Sequence, residues 1–201
     1  MENKKLKLHQ IYQLRITLKH IEPKIFRTLV VPGSITLREF HELIQSAFGW
    51  LSCHLHAFRD QEGNDYTSAQ EGMFAMDTGE EDIDDVTVQL DSVLQSKGDR
   101  LIYEYDFGDS WEHEVVLLKI EPPKVKGLYP AVIDGARNCP PEDCGGPFGY
   151  EELMGIAQRK RQGIALDEDE QDRIEWLGDY DPEAFDLDKS NGRMATYDKL
   201  S

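Results

Sequence analysis

The stretch YQLRITLKHIEPKIFRTLVVPGSITLREFHELIQSAFG, residues 12–49, sets the frame of the chain. Tyr12, Leu14, Ile16 and Leu18 alternate with Gln13, Arg15, Thr17 and Lys19. That period of two predicts a strand with one buried face. A break at 20–24, holding Pro23, leads into Ile25–Val31, which is rich in β-branched residues. The two segments predict a hairpin with a long loop. Pro32-Gly33 closes it, and Thr36-Leu37-Arg38-Glu39 follows in capping-box form. There the hydroxyl and the carboxylate three residues on satisfy open backbone N–H groups. Leu37, Phe40, Leu43, Ile44, Ala47 and Phe48 then recur at helical spacing up to a stop at Gly49.

Outward from this unit, His54–Arg59 reads as a strand. Residues 60–85 read as a mobile surface loop, with a Gly63-Asn64 turn and an acidic run over Glu80-Glu81-Asp82 and Asp84-Asp85. The run lacks the alternating oxygen ligands and closing Glu of a calcium loop. Val86–Leu94 is ambiguous. Leu101, Tyr103, Tyr105 and Phe107 share one face of a strand, Gly108-Asp109 makes a tight turn, and Trp111–Ile120 returns before Pro122-Pro123. Between Arg137 and Tyr150 stand three prolines and three glycines. Helices are expected at Tyr150–Arg161 and Asp169–Leu177, with a further helix start at Asp181-Pro182-Glu183 and a frayed last ten residues. The expected architecture is α+β: a mixed, largely antiparallel sheet with a helix packed on one face, β-grasp-like at its start, and C-terminal helices. One domain over 1–201 is expected, with a sheet-and-helix core at 10–121 and, at 124–190, a Pro/Gly-rich loop and helices packed on it.

Acidic side chains outnumber basic ones by 39 to 22, for a net charge of −17. Such a surface repels phosphate backbones, so non-specific nucleic-acid binding is not expected. Arg159-Lys160-Arg161 is the compact basic exception and reads as a helix end. No apolar run is long enough to cross a bilayer, and MENKKLKLHQ lacks the apolar stretch of a secretory signal. The expectation is a cytoplasmic protein without membrane contact. Three cysteines in such a chain suggest thiols or metal ligands rather than a disulfide framework.

Several residues could carry chemistry. His54 and His56, two apart on a predicted strand, would point to one face and could share a zinc ion. A polar strand face or one core histidine explains them as well. Cys53 would face the other way. Cys139 and Cys144 have the C-x₄-C spacing at the long end of a zinc half-site. A rigid connector with two buried thiols has the edge over it. Glu142 and Asp143 add carboxylates between them. Asp106, Asp109 and His113 bracket the hairpin turn and offer an acid/base pair or ligands. Turn shaping alone accounts for Asp109, whereas His113 should share a face with Trp111 and Val115. Gly145–Gly149 opens a helix that could hold an anion, but it lacks the Gly-Lys-Ser/Thr ending of a phosphate loop. The chain has no dinucleotide fingerprint, no serine nucleophile elbow and no His-Glu-x-x-His.

Tyr103-Glu104-Tyr105-Asp106-Phe107-Gly108-Asp109-Ser110-Trp111-Glu112-His113-Glu114 resembles the signature of the plasmid pRiA open-reading-frame-three-like family. So do His54-Leu55-His56-Ala57-Phe58, Pro140–Gly146 with Tyr150-Glu151, and Asp181–Asp186, over a span of about 10 to 190. The resemblance implies a compact α+β fold in prokaryotic proteins, some carried by plasmids or insertion elements, with no established activity. It therefore carries over no catalytic residue. Three functions stay open. The first is a non-catalytic binding or accessory module with a protein partner. The second is a zinc-type metal-dependent hydrolase, with His54, His56, His113, Cys139 and Cys144 as ligands and Asp106, Asp109, Glu142 or Asp143 as base. The third is a domain with purely structural metal.

Overall fold

The computed structural model describes residues 10–68, 83–124 and 128–197, with residues 196 and 197 described by backbone alone. The expected hairpin forms as β1 (Ile11–Leu18) and β2 (Phe26–Pro32), paired antiparallel from Ile11–Pro32 to Thr17–Phe26. Helix α1 (Leu37–Phe48) starts at the capping box. The Glu39 N–H donates to Thr36 Oγ1 at 3.1 Å, and the Thr36 N–H donates to Glu39 Oε2 at 2.7 Å. Gly49 ends the helix in the left-handed region at φ 98°. Its apolar stripe is buried, with Leu37, Phe40 and Ile44 fully inaccessible.

Strands β3 (His56–Arg59), β4 (Asp65–Thr67) and β5 (Ile83–Asp84) come next, followed by the single-turn α2 (Leu90–Val93). Asp65–Thr67 and Ile83–Asp84 are thus strand where the composition suggests loop, and Glu80-Glu81-Asp82 lie outside the described residues. The second hairpin joins β6 (Arg100–Tyr105) and β7 (Trp111–Glu121). The alternation holds through Leu101, Tyr103 and Tyr105, all buried, but ends there. Asp106 turns to φ 56° and Phe107 is exposed.

An eighth strand, β8 (Ala131–Ala136), has no counterpart in the sequence reading: it is short and holds Asp134 and Gly135. It closes the sheet order β5-β4-β3-β6-β7-β1-β2-β8, in which only the β4–β5 pair is parallel. The Asn191 side chain covers the outer edge of β8, accepting from the Val132 N–H and donating to the Val132 carbonyl, both at 2.9 Å. This satisfies an open strand edge.

Helices α3 (Gly146–Arg161), α4 (Glu168–Leu177) and α5 (Leu187–Tyr197) complete the fold. Asp181-Pro182-Glu183 forms a turn, in which Asp181 Oδ1 accepts from the Glu183 N–H at 3.0 Å. The helix starts later because Asp186 is its cap, accepting from the Lys189 N–H at 2.9 Å. Of the last ten residues, 192–197 are helical rather than frayed, and 198–201 lie outside the described residues. Arg159-Lys160-Arg161 does fall in the last turn of α3, where cations complement the helix dipole.

Candidate functional site

The segment between α1 and β3 carries the first residues of the site. It begins with the Leu51 N–H donating to Glu142 Oε1 at 2.7 Å and continues through Ser52, held at φ 55°. His54 precedes β3 rather than belonging to it. The alternation argument therefore does not apply, and His54 and His56 face different surroundings.

His54 Nε2 lies 3.2 Å from Asp143 Oδ1, 3.7 Å from Asp106 Oδ2 and 4.0 Å from Glu142 Oε2. Its ring meets Tyr105 edge-on at 5.7 Å. The Tyr105 hydroxyl donates to Glu142 Oε1 at 3.2 Å and accepts from the Cys53 N–H at 3.2 Å. With Oε1 thus occupied, Glu142 turns Oε2 toward His54. Both His54 Nε2 and Glu142 Oε2 are buried atoms without a hydrogen-bond partner. Among the described residues six non-glycine residues have positive φ, and Ser52, Asp106 and Asp143 of this region are three of them. Strained backbone of this kind concentrates where side chains must be aimed.

Two donor groups result, Cys53–His54–Glu142 and His54–Asp106–Asp143, each with its ligand atoms within 4.8 Å of one another. An ion bound at about 2.1 Å by N and O ligands spaces tetrahedral neighbours roughly 3.4 Å apart. The three separations from His54 Nε2 bracket that value. One imidazole among carboxylates suits a borderline divalent ion such as zinc or manganese. Cys53, set aside on strand parity, belongs to this cluster because its segment is not a strand. Tyr105, which sequence alone presents as a core aromatic, orients Glu142.

The other candidates lie elsewhere, and none of them joins a potential ligand group among the described residues. His56 is fully buried, with Nε2 2.9 Å from Asp85 Oδ2, and Asp85 is equally buried and reached by Arg38. His113 is buried, and its Nδ1–H donates to the Trp111 carbonyl at 2.9 Å. Burial pushes the His113 pKa down to about 3, so the ring is neutral. Cys139 and Cys144 are buried thiols, held protonated by desolvation, the second with its pKa pushed up to about 12. Asp109 does not shape the hairpin turn. Asp106 does that, accepting from the Gly108 N–H at 3.0 Å. Asp109 Oδ2 instead accepts from the Gly145 N–H at 3.1 Å, at the N-terminus of α3. Gly146 stands so close to this turn that a Cβ there would sit 2.3 Å from the Asp109 carbonyl oxygen. The turn and the helix start thus lock together, which brings Asp106 beside Asp143.

A Ser–His pair adjoins the site: Ser52 Oγ is 2.7 Å from His41 Nε2. The buried Tyr103 hydroxyl accepts from Gln45 Nε2 at 2.9 Å, so its own proton goes to His41 Nδ1, 2.8 Å away. His41 must then donate from Nε2 to Ser52, whose proton passes to Glu42 Oε1 at 3.3 Å. His41 is a link in a structural chain and not a base for Ser52.

Fold and site define an α+β protein with a mostly antiparallel sheet and helices over one end, in which distant segments converge on one histidine. The chain belongs to the plasmid pRiA4b ORF-3-like protein family, whose model matches residues 10–189. It is 36% identical over 187 residues to the uncharacterised protein y4hQ of Sinorhizobium fredii, covering 90% of this chain and 89% of that one. It also matches the crystal structure of MM3350, a protein of unknown function from Methanosarcina mazei Go1. The TM-score is 0.77 at 32% identity, over 90% of this chain and 97% of that one. Among the described residues no helix is long and apolar enough to cross a membrane.

Proposed function

We propose that the protein is an accessory module that binds one divalent metal ion through His54, Asp106 and Asp143, with Glu142 and Cys53 at the edge of the same centre. One observation carries this reading. His54 Nε2, buried and unpartnered, faces three carboxylate groups at 3.2, 3.7 and 4.0 Å. A metal ion would satisfy the nitrogen lone pair and offset the mutual repulsion of the acids. In the host cell the module works with a protein partner rather than with bare nucleic acid, in keeping with its net charge of −17. The test is calorimetric titration of metal-free protein with zinc and with manganese. One ion per chain should bind, and both His54→Ala and Asp143→Ala should weaken binding ten-fold or more. Unchanged affinity in both variants rejects the centre.

A second reading, metal-dependent hydrolysis, is supported by the 72% exposure of the Asp143 side chain. An ion beside it would keep a position open for water, whose pKa it would lower toward neutrality. Metal-loaded protein should then hydrolyse p-nitrophenyl phosphate or acetate above the rate of the His54→Ala variant. Equal rates leave the binding module alone.

A further inference from the structure

Three large aromatic side chains stand exposed among the described residues: Phe107 at 42%, Phe148 at 81% and Trp176 at 55%. All three belong to segments that converge on His54. Phe107 follows Asp106 in the β6–β7 turn, and Asp106 Oδ2 is 3.7 Å from His54 Nε2. Phe148 is in the first turn of α3, where Gly146 abuts the Asp109 carbonyl of that same turn. Trp176, near the end of α4, shares a groove with Asp143. A fourth exposed apolar residue, Leu51, lies three positions before His54, and its N–H donates to Glu142. Single apolar side chains in water are ordinary. Four of them gathered about one polar centre mark an interaction surface, and aromatic residues are the usual anchors of such a surface.

The groove measures about 340 Å³ and is lined by Asp143, Cys144, Leu153, Asp172, Arg173 and Trp176. Leu153 and Cys144 are buried and give it an apolar floor. Arg173 is its one base, and the fold already engages it: Nη1 lies 2.7 Å from Glu152 Oε2, and Nη2 donates to the Gly149 carbonyl at 3.3 Å. Asp172 is exposed, and the Asp143 side chain is 72% exposed. Around the groove and the centre stand four carboxylates, those of Asp106, Glu142, Asp143 and Asp172. A divalent ion carries two positive charges, so the face stays acidic even when the centre is filled.

That charge selects among occupants. Nucleic acid is repelled. A second copy would bring the same acids against these, and like charges across an interface are unfavourable. A basic polypeptide complements the face.

We propose that this face docks a protein segment that is both basic and apolar. Its apolar side chains cover Phe107, Phe148 and Leu51. One lysine or arginine enters the groove, with its stem along Leu153 and the Trp176 indole and its head at Asp143 and Asp172. The inference rests on the accessory-module reading above and specifies its partner.

The test is selection of a phage-displayed random dodecapeptide library against the zinc-treated full chain, followed by fluorescence-polarisation titration of the enriched peptides. These should combine Lys or Arg with Leu, Phe or Trp. Phe148→Ala, Trp176→Ala and Asp172→Lys should each weaken their binding ten-fold or more. With the parent chain, raising sodium chloride from about 0.05 to about 0.5 M should weaken binding about ten-fold, because salt screens exposed charge pairs. Phe148→Ala and Trp176→Ala should bind zinc like the parent, which shows both to be folded. Peptide binding by a parent chain that takes up no zinc rejects the metal centre and keeps the docking face. The proposal is overturned by no enrichment, by enriched peptides without basic residues, by salt-insensitive binding, or by all three variants binding like the parent. A dimer of the parent that Phe148→Ala dissolves gives the face to a second copy and overturns it as well.

Discussion

His54 and His56 are one residue type, two positions apart, with opposite fates. His56 lies on β3, pinned to buried Asp85 at 2.9 Å and stacked on His41 with 3.6 Å between ring centroids. His54 lies just before the strand, 29% exposed, with three carboxylates around a nitrogen that bonds to none of them. The first is a structural histidine whose contacts are made by the fold. The second is a histidine whose Nε2 the fold leaves without a hydrogen-bond partner. Spacing in sequence does not distinguish them, because the difference is where the strand begins.

The largest expected effect tests the structural side. Asp85→Ala should cost about 3–5 kcal/mol by denaturant unfolding, since it removes one partner of a fully buried pair. His54→Ala should stay within about 1 kcal/mol of the parent. Similar losses in the two variants would erase the contrast. Next in size is Gly146→Ala, expected to cost about 2–4 kcal/mol from overpacking and positive-φ strain. Its φ is 68° and the added Cβ would strike the Asp109 carbonyl. Because this contact sets Asp106 beside Asp143, the variant should also lose metal affinity.

On the functional side, zinc at a hundred times the parent's Kd should add about 2.7 kcal/mol to the parent and no more than about 1.4 kcal/mol to His54→Ala, whose affinity is at least ten-fold weaker. Thermal melts with and without a chelator measure this. A separate effect is the acid limb of stability. Burial pushes the pKa of His41 down to about 2 and that of His113 to about 3, from 6.5 in the unfolded chain. Below pH 6.5 the unfolded chain binds more protons. Stability is therefore full above that pH and falls as pH drops toward 3, by up to about 1.4 kcal/mol per pH unit for each histidine. His113→Phe should remove one share of that slope, and an unchanged slope would place the protons elsewhere.

Much of the frame is legible because it rests on local physics. The capping box at Thr36 and Glu39, the alternation of β1 and the β6–β7 hairpin each follow from neighbours in sequence. The family motifs carry the same information in another form. What escaped reading lacks a local signal. β8 is a strand because β2 offers it an edge. β4 and β5 are two or three residues long and exist through pairing with each other and β3. α5 is capped by Asp186 rather than Asp181 because Asp181 closes a turn that packs on Asn138, whose N–H donates to the Pro182 carbonyl.

The site divides in the same way. Residue types mark the set from which it is drawn: imidazoles, thiols and acids in three separate motifs. Only tertiary structure decides that Cys53, His54, Asp106, Glu142 and Asp143 meet, while His56, His113, Cys139, Cys144 and Asp109 serve the core and the helix start. Sequence periodicity reports which face of an element a residue occupies. It cannot report where the element ends or what a loop carries toward it, since both depend on contacts between segments far apart in sequence, such as the 91 residues between Leu51 and Glu142.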